Sequence, residues 1–358
     1  MGLFFIFSTL VIWGMAVSVA AWLACAFPTL SHRTFTLGLP VCITAFIIWG
    51  ISYTRTHYHI GTDFLYYASY ILFGLLFLAF CTTALFAFIY FLTKFIYPAA
   101  LRFVGPASVL VTLIVWGLSV WGGFSAPQLK KIHVNSPQLP KLKIALLSDS
   151  HLGRGVSLNR FKNALARLAD EKPDVLFVLG DVFEYGQHQE AYAQQLKNFP
   201  APLGVYGVFG NHEYYVGYEN SKNFFKNAGI TLLENELISL PNGLQIAGFK
   251  DIKTARVTPH DISQLLQKSD PQKPLIVLSH TPSYAEEISS QGADFMFSGH
   301  THNGQIWPFK YFVRLQFPRV YGLFDVNGMK FYITSGMFYW GIPLRFLTPA
   351  ELPIIEVN

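Results

Sequence analysis

Residues 144–151 read "IALLSDSH". Four apolar residues run straight into a polar turn that carries a carboxylate, Asp149, and an imidazole, His151. A short apolar run bounded by turn formers is the signature of a strand buried on both faces. The same rhythm returns in "DVLFVLGD" (174–181), "GVYGVFGNHE" (204–213), "LQIAGF" (244–249), "PLIVLSH" (274–280) and "ADFMFSGH" (293–300). Helical candidates lie between these runs: 158–169, with Phe161, Leu165 and Leu168 on one face, then 258–266 behind a Thr-Pro start, and a shorter one at 220–227. Strands alternating with helices predict an α/β domain.

Five of the six runs end in the same kind of residue. Asp149 and His151 close the first, Asp181 the second, Asn211 and His212 the third, His280 the fifth, and His300 with His302 the last. In an open α/β sheet, ligands bind at the carboxyl ends of the strands, so these side chains are expected on one rim. Carboxylate, amide oxygen and imidazole suit divalent metals, and the thiolates of structural zinc sites are missing from the set. Two ions roughly 3.5 to 4 Å apart are the standard device for phosphate-ester hydrolysis, and Asp181 has two oxygens with which to bridge such a pair.

Outward from this region the composition splits. Of 26 basic and 21 acidic residues, only Arg33, Arg55, Lys94, Arg102 and Asp63 precede residue 124. Four uncharged apolar runs fill that part, 3–26, 36–51, 66–92 and 105–124. A bilayer crossing takes roughly 20 apolar residues, so the second run is marginal and the others are long enough. The first run lacks the basic lead and small-residue cleavage site of a signal peptide. Residues 1–124 are therefore expected to be a helical transmembrane domain, 125–142 ("SAPQLKKIHVNSPQLPKL") a linker, and 143–358 the α/β domain. Arg55, Lys130, Lys131, Lys141 and Lys143 on one side outnumber Arg33, Lys94 and Arg102 on the other, which favours an inner-membrane protein with a cytoplasmic α/β domain. Cys25, Cys42 and Cys81 all fall within the spans, leaving the α/β part without thiols. No motif or basic cluster points to nucleic acid, and none points to a protein partner.

The ordered blocks "SDSHLG", "LGDVFEY", "GNHEYY", "SHTP" and "SGHTHNGQ" resemble the calcineurin-like metallophosphoesterases over about residues 143–357. "GHTHNGQIWPF" and the later "YITSGMFYWGIPLRF" are similar in particular to the membrane-anchored bacterial phosphodiesterase branch, including its multi-spanning members. The resemblance implies a four-layer α/β/β/α sandwich with two divalent ions, Mn, Fe, Zn or Mg. It assigns one ion to Asp149, His151, Asp181 and His302, and the other to Asp181, Asn211, His280 and His300. It gives His212 the role of meeting the transferring phosphoryl group or protonating the leaving oxygen, with Asp181 and the ions holding the attacking hydroxide. Three positions depart from the usual pattern: Ser150 between the first ligands, Glu184 where many relatives carry Asp, and Asn303 for a usual Gly.

These readings predict a membrane-anchored di-metal phosphoesterase cutting a phosphodiester or pyrophosphate bond of a membrane-associated substrate. A pyrophosphatase acting on a UDP-diacylglucosamine-type lipid is the alternative, and a membrane sensor that binds a phosphorylated ligand without turnover is the second. Aromatic and basic residues interleave over 306–324, "IWPFKYFVRLQFPRVYGLF". Lys310, Arg314 and Arg319 there, and Arg345 further on, are candidates for substrate or bilayer contact, against ordinary packing of an insertion. His133, His188 and His260 match no motif and read as solvated. His57 and His59 read as part of a polar loop between spans.

Overall fold

The computed structural model describes residues 2–57, 60–136, 139–184 and 189–358; His59 and His188 lie outside them. The chain divides into two compact units, Met1–Phe124 with Gly341–Phe346, and Ser125–Trp340 with Leu347–Asn358.

The first unit carries α1 (Gly2–Ala26), α2 (Leu39–Thr56), α3 (Asp63–Ile96) and α4 (Leu101–Phe124). All four are long and apolar enough to cross a membrane. The marginal second run reaches that length because a π-helical turn, Thr34–Gly38, leads directly into α2. Inside the unit, Ile12, Met15 and Ala16 of α1 pack with Ile47 of α2 and Leu76 of α3. The Trp22 indole donates to Ser108 on α4 at 2.9 Å, and Trp116 of α4 donates to the Leu75 carbonyl of α3 at 2.9 Å.

A strap of six residues completes this unit. The Tyr66 hydroxyl donates to the Gly341 carbonyl, and the Arg345 amide donates to the Ser119 carbonyl at 3.0 Å. A Cβ at Gly122 or Gly123 would lie 2.4 or 2.2 Å from the carbonyl oxygens of Arg345 and Pro343, so only glycine lets the strap lie this close to α4. Gly123→Val should therefore dislodge the strap, read as new protease cleavage within residues 341–346 of the full-length protein.

The second unit holds two sheets. One has the order β1 (Gln128–Val134), β12 (Glu351–Val357), β2 (Leu142–Leu147), β3 (Val175–Val178), β4 (Val205–Gly207) and β5 (Thr231–Leu232). The other runs β10 (Gly322–Val326), β11 (Met329–Ile333), β9 (Phe295–Ser298), β8 (Leu275–Leu278), β7 (Gln245–Gly248) and β6 (Glu236–Ser239). The period-two alternation of a strand puts Ile144 and Leu146 of β2, with Val175 and Phe177 of β3, into a core shared with Ile276, Leu278, Phe295 and Phe297 of the second sheet. Their neighbours Ala145, Leu147, Leu176 and Val178 face α5 (Leu158–Ala169), α6 (Gln189–Lys197) and α8 (Tyr218–Asn227). Ala247, Val277 and Met296 face α9 (Pro259–Leu266) and α10 (Ala285–Ser290). Three apolar interfaces between four layers make the α/β/β/α sandwich.

One expected boundary is corrected. The stretch assigned to a linker, 125–142, holds β1, whose seven residues pair in parallel with β12 from Gln128↔Glu351 to Val134↔Val357. Lys130 and Lys131 made it read as solvated chain, yet an edge strand tolerates such charges. Strands β2 to β5 run parallel, as do β7, β8, β9 and β11, so the ends carrying the polar residues open on a common side of each sheet.

Candidate metal centre

The structure brings the ligand candidates into two clusters of mutually close donor atoms. Asp149, His151 and His302 each bring a donor atom within 4.8 Å of the others, and Asp181, His280 and His300 do the same. A third trio, His151, Asp181 and His212, meets the same limit and joins the two. The backbone reaches this arrangement at a cost. Asp149, His151, Asp181, His300 and His302 all hold positive φ between 41° and 70°, a region costing on the order of 1–3 kcal/mol per non-glycine residue. Asn303 has φ 52°, and asparagine is among the residues that tolerate it.

Hydrogen bonds fix which ring atoms face inward. The Leu179 carbonyl can only accept, so His280 donates to it through Nδ1 at 2.7 Å and presents Nε2 to His300 Nδ1 at 3.1 Å and to Asp181 Oδ2 at 3.2 Å. Likewise His151 Nδ1 faces Glu184 at 2.7 Å, leaving Nε2 3.1 Å from His302 Nε2. Asp149 is held by the Ser148 hydroxyl at 2.6 Å and the His300 amide at 3.1 Å, with an oxygen 3.4 Å from His302 Nε2. The side-chain oxygen of Asn211 is buried without a hydrogen-bond partner, the state of an acceptor waiting for a cation. Converging lone pairs, carboxylate-oriented imidazoles and this orphaned oxygen fit two divalent ions.

Charge tells the same story. Burial raises the Asp181 carboxyl, but His280 and His212 outweigh it and hold it well below the usual range. Burial lowers His280, yet Asp181 holds it well above its ordinary value, whereas His300 is pushed down to about 4 by burial and by His280. Protons thus stand in the metal-free protein where cations would. Metal uptake must release them, so affinity should rise with pH. Calorimetry in buffers of different protonation enthalpy reads the protons released. A flat profile with no release would contradict the arrangement.

His212 stands beside the clusters, its Nε2 4.0 Å from Asp181 Oδ2 and its Nδ1 at 2.5 Å from Glu184. Burial lowers its pKa, but Asp181 and Glu184 reverse this and carry it up to about 9, while the two histidines draw Glu184 down to about 2 against its burial. His212 is raised, so its stabilisation is present below about 6.5 and lost as pH rises through about 9. Glu184 is depressed, so its stabilisation is present above about 4.5 and lost as pH falls through about 2. These two groups together contribute most to the metal-free protein near pH 4.5–6.5, opposed there by His300, whose depressed pKa costs stability as pH falls below about 6.5. A scan of melting temperature against pH in chelator checks this.

Three contributors were not assigned roles from sequence. Glu184 orients two imidazoles at once. Glu213, buried on α7 (Asn211–Val216), accepts from the amides of Asp181 at 2.9 Å, Val182 at 2.7 Å and Gly210 at 2.7 Å, locking the second and third loops together. Trp340 sets its ring 5.6 Å from that of His212 and is gripped by Gln305, which accepts from its amide at 2.8 Å and donates to its carbonyl at 3.2 Å. Glu213→Ala would leave three buried amides without acceptors, at about 1–3 kcal/mol each, and should lower stability by several kcal/mol in chemical denaturation. Only an apolar run beside a carboxylate, as in "GNHEYY", hinted at the Glu213 role.

The candidate contact residues fall in three places. Lys310 and Arg314 ride on α11 (Lys310–Gln316) over the Tyr311 ring. Arg319 is tied to Glu286 at 2.7 Å in the wall of a separate cavity of about 590 Å³. Arg345 is not in the α/β unit at all: it is buried in the strap of the helical unit. His133 pairs with Glu356 at 3.0 Å.

Two donor clusters linked through Asp181 and His151, on the strand-end rim of a two-sheet sandwich, suit a pair of divalent ions of the kind that cleave phosphate esters. Residues 142–304 match the calcineurin-like phosphoesterase family. A metallophosphoesterase of Aquifex aeolicus is 33% identical over 64% of this chain and 92% of its own length. One of Helicobacter pylori is 34% identical over 66% of each chain, so the match spans just under two thirds of that protein. A Danio rerio protein named "Transmembrane protein with metallophosphoesterase domain" is 28% identical over 70% of this chain and 62% of its own. The chain belongs to the calcineurin-like metallophosphoesterases. The matched family is one of phosphoesterases, and the four apolar helices, long enough to cross a membrane, accompany it on the same chain.

Proposed function

We propose that the chain hydrolyses a phosphodiester or pyrophosphate bond of a membrane-associated substrate. The observation that carries this is the pair of donor clusters joined through the His151, Asp181 and His212 trio. In this reading Asp149, His151, Asp181 and His302 hold one ion and Asp181, Asn211, His280 and His300 the other. When bound, the ions would activate water and screen the charge of the phosphoryl oxygens. The protein's own residues do the rest. Asp181 fixes the spacing of the clusters, and its Oδ1 anchors the His212 amide at 2.9 Å. Glu184 holds His212 protonated with Nε2 turned inward, where it can meet the charge developing on phosphorus or give a proton to the leaving oxygen. Trp340 covers the outer side of that imidazole and limits water.

The membrane-associated substrate is inferred from the spans on the same chain, and the cytoplasmic side of an inner membrane from the excess of Lys and Arg at the corresponding span ends. Mass spectrometry of products from the full-length protein in lipid tests the reading, with phospholipids, nucleotide-linked lipids and soluble diesters offered together. Cleavage confined to nucleotide-linked lipid would favour the UDP-diacylglucosamine-type pyrophosphatase. Two bound metals with no hydrolysis of any of these would favour the non-catalytic sensor.

A further inference from the structure

We propose that α11 and the turn before it, residues 306–317, form a lip that rests on an anionic phospholipid surface and brings lipid head groups to the metal centre. The inference deepens the reading of a membrane-borne substrate and rests on it.

The first observation is exposure. Leu315 is 85% and Phe312 59% exposed, and Trp307, Phe309 and Tyr311 are exposed beside them. Five large apolar side chains in nine residues make a patch that a soluble surface rarely carries unless something covers it. Lys310 and Arg314 interleave with them, stacked on Tyr311 at 5.4 and 5.9 Å. Aromatic rings with basic residues between them match the boundary between acyl chains and anionic head groups.

The second observation is how the segment is rooted. The Thr301 hydroxyl donates to the Val320 carbonyl at 2.6 Å, closing the neck of an excursion that leaves the His300–His302 turn and returns to it. At the outgoing end, α11 begins against Gly304, where a Cβ would lie 2.4 Å from the Lys310 backbone. At the returning end, buried Phe317 sets its ring 5.3 Å from the His300 ring. The lip is thus fastened at both ends to the turn that carries two ligand candidates.

The third observation selects the occupant. Gln305, the residue before the lip, grips Trp340 by both backbone groups, and the next residue after Trp340, Gly341, belongs to the span-bearing unit. The root of the lip is therefore hydrogen-bonded to the point where the chain passes into the membrane-spanning part. A bilayer is always at hand for such a segment, whereas a second copy or another protein has to be recruited.

The test needs no turnover. Full-length protein with Cys25, Cys42 and Cys81 replaced by alanine and Leu315→Cys carrying a fluorophore is placed in nanodiscs of phosphatidylcholine and phosphatidylglycerol containing a lipid spin-labelled near the head group. Strong quenching is expected at Leu315→Cys and at Phe312→Cys one turn earlier, and none at Glu219→Cys on α8. Fluorescence untouched by spin-labelled lipid at both lip positions would overturn the proposal. Energy transfer between labelled copies without lipid quenching would also overturn it and assign the patch to self-association. Because quenching is read without hydrolysis, the lip can fail while the phosphoesterase reading stands, and the reverse.

Discussion

Asp181→Ala should empty both metal positions and lower turnover by about a thousandfold or more. The aspartate reaches toward both clusters, with Oδ2 3.2 Å from His280 and 3.9 Å from His151. It is also a brace, since Oδ1 accepts from the His212 amide. Asp181→Asn separates these roles: it keeps an oxygen for that amide but removes the charge. Metal analysis of the purified variants should find both ions lost in Asp181→Ala and metal content reduced in Asp181→Asn with the fold intact. By contrast, His302→Ala removes a donor from one cluster only and should leave close to one ion. Full metal content in Asp181→Ala would show that the two clusters do not share it.

His212→Gln should behave in the opposite way, keeping both ions while losing about 10²- to 10⁴-fold in kcat, the usual worth of a positioned general acid. The size of the loss should depend on the leaving group. A nitrophenolate departs without a proton, so its ester should suffer far less than an alkyl ester. The pH profile carries a sign that can be checked. His212 is held up at about 9 without metal, and two cations nearby can only lower that value. The alkaline limb for an alkyl leaving group should therefore fall at or below about pH 9, and His212→Gln should abolish it. An unchanged alkaline limb in the variant would remove His212 from the proton transfer.

The five strands that carry the site were legible because each is an apolar run too short for a helix and followed closely by a residue that can bind metal. Strands β1 and β12 were not. "QLKKIHV" carries three basic side chains along a sheet edge, and "ELPIIEV" contains Pro353, which argues against a strand when read alone. Each is specified by the other's register, a long-range pairing with no local mark. The ligand candidates were equally visible, since metal affinity is written in side-chain type. The roles of Glu213 and Trp340 were hidden, because one works by accepting backbone amides from another loop as well as its own and the other by a ring contact across more than a hundred residues. Arg345 shows the converse error: a basic residue among aromatics suggested a phosphate ligand, and the chain spends it inside the helical unit.

The six-residue strap changes how such a protein can be taken apart and put together. Because the chain passes between its two units at 124/125, 340/341 and 346/347, one cut between them cannot separate the pieces. A ribosome finishes the four long helices more than two hundred residues before it supplies the last part of their unit, so the membrane portion waits for almost the whole catalytic portion to be synthesised. Beginning the gene after the fourth helix, the obvious way to obtain the α/β part alone, would strand Ile342, Pro343 and Leu344 without the glycine-lined surfaces they pack on. The modular look of the chain along its sequence is therefore not a guide to where it can be divided.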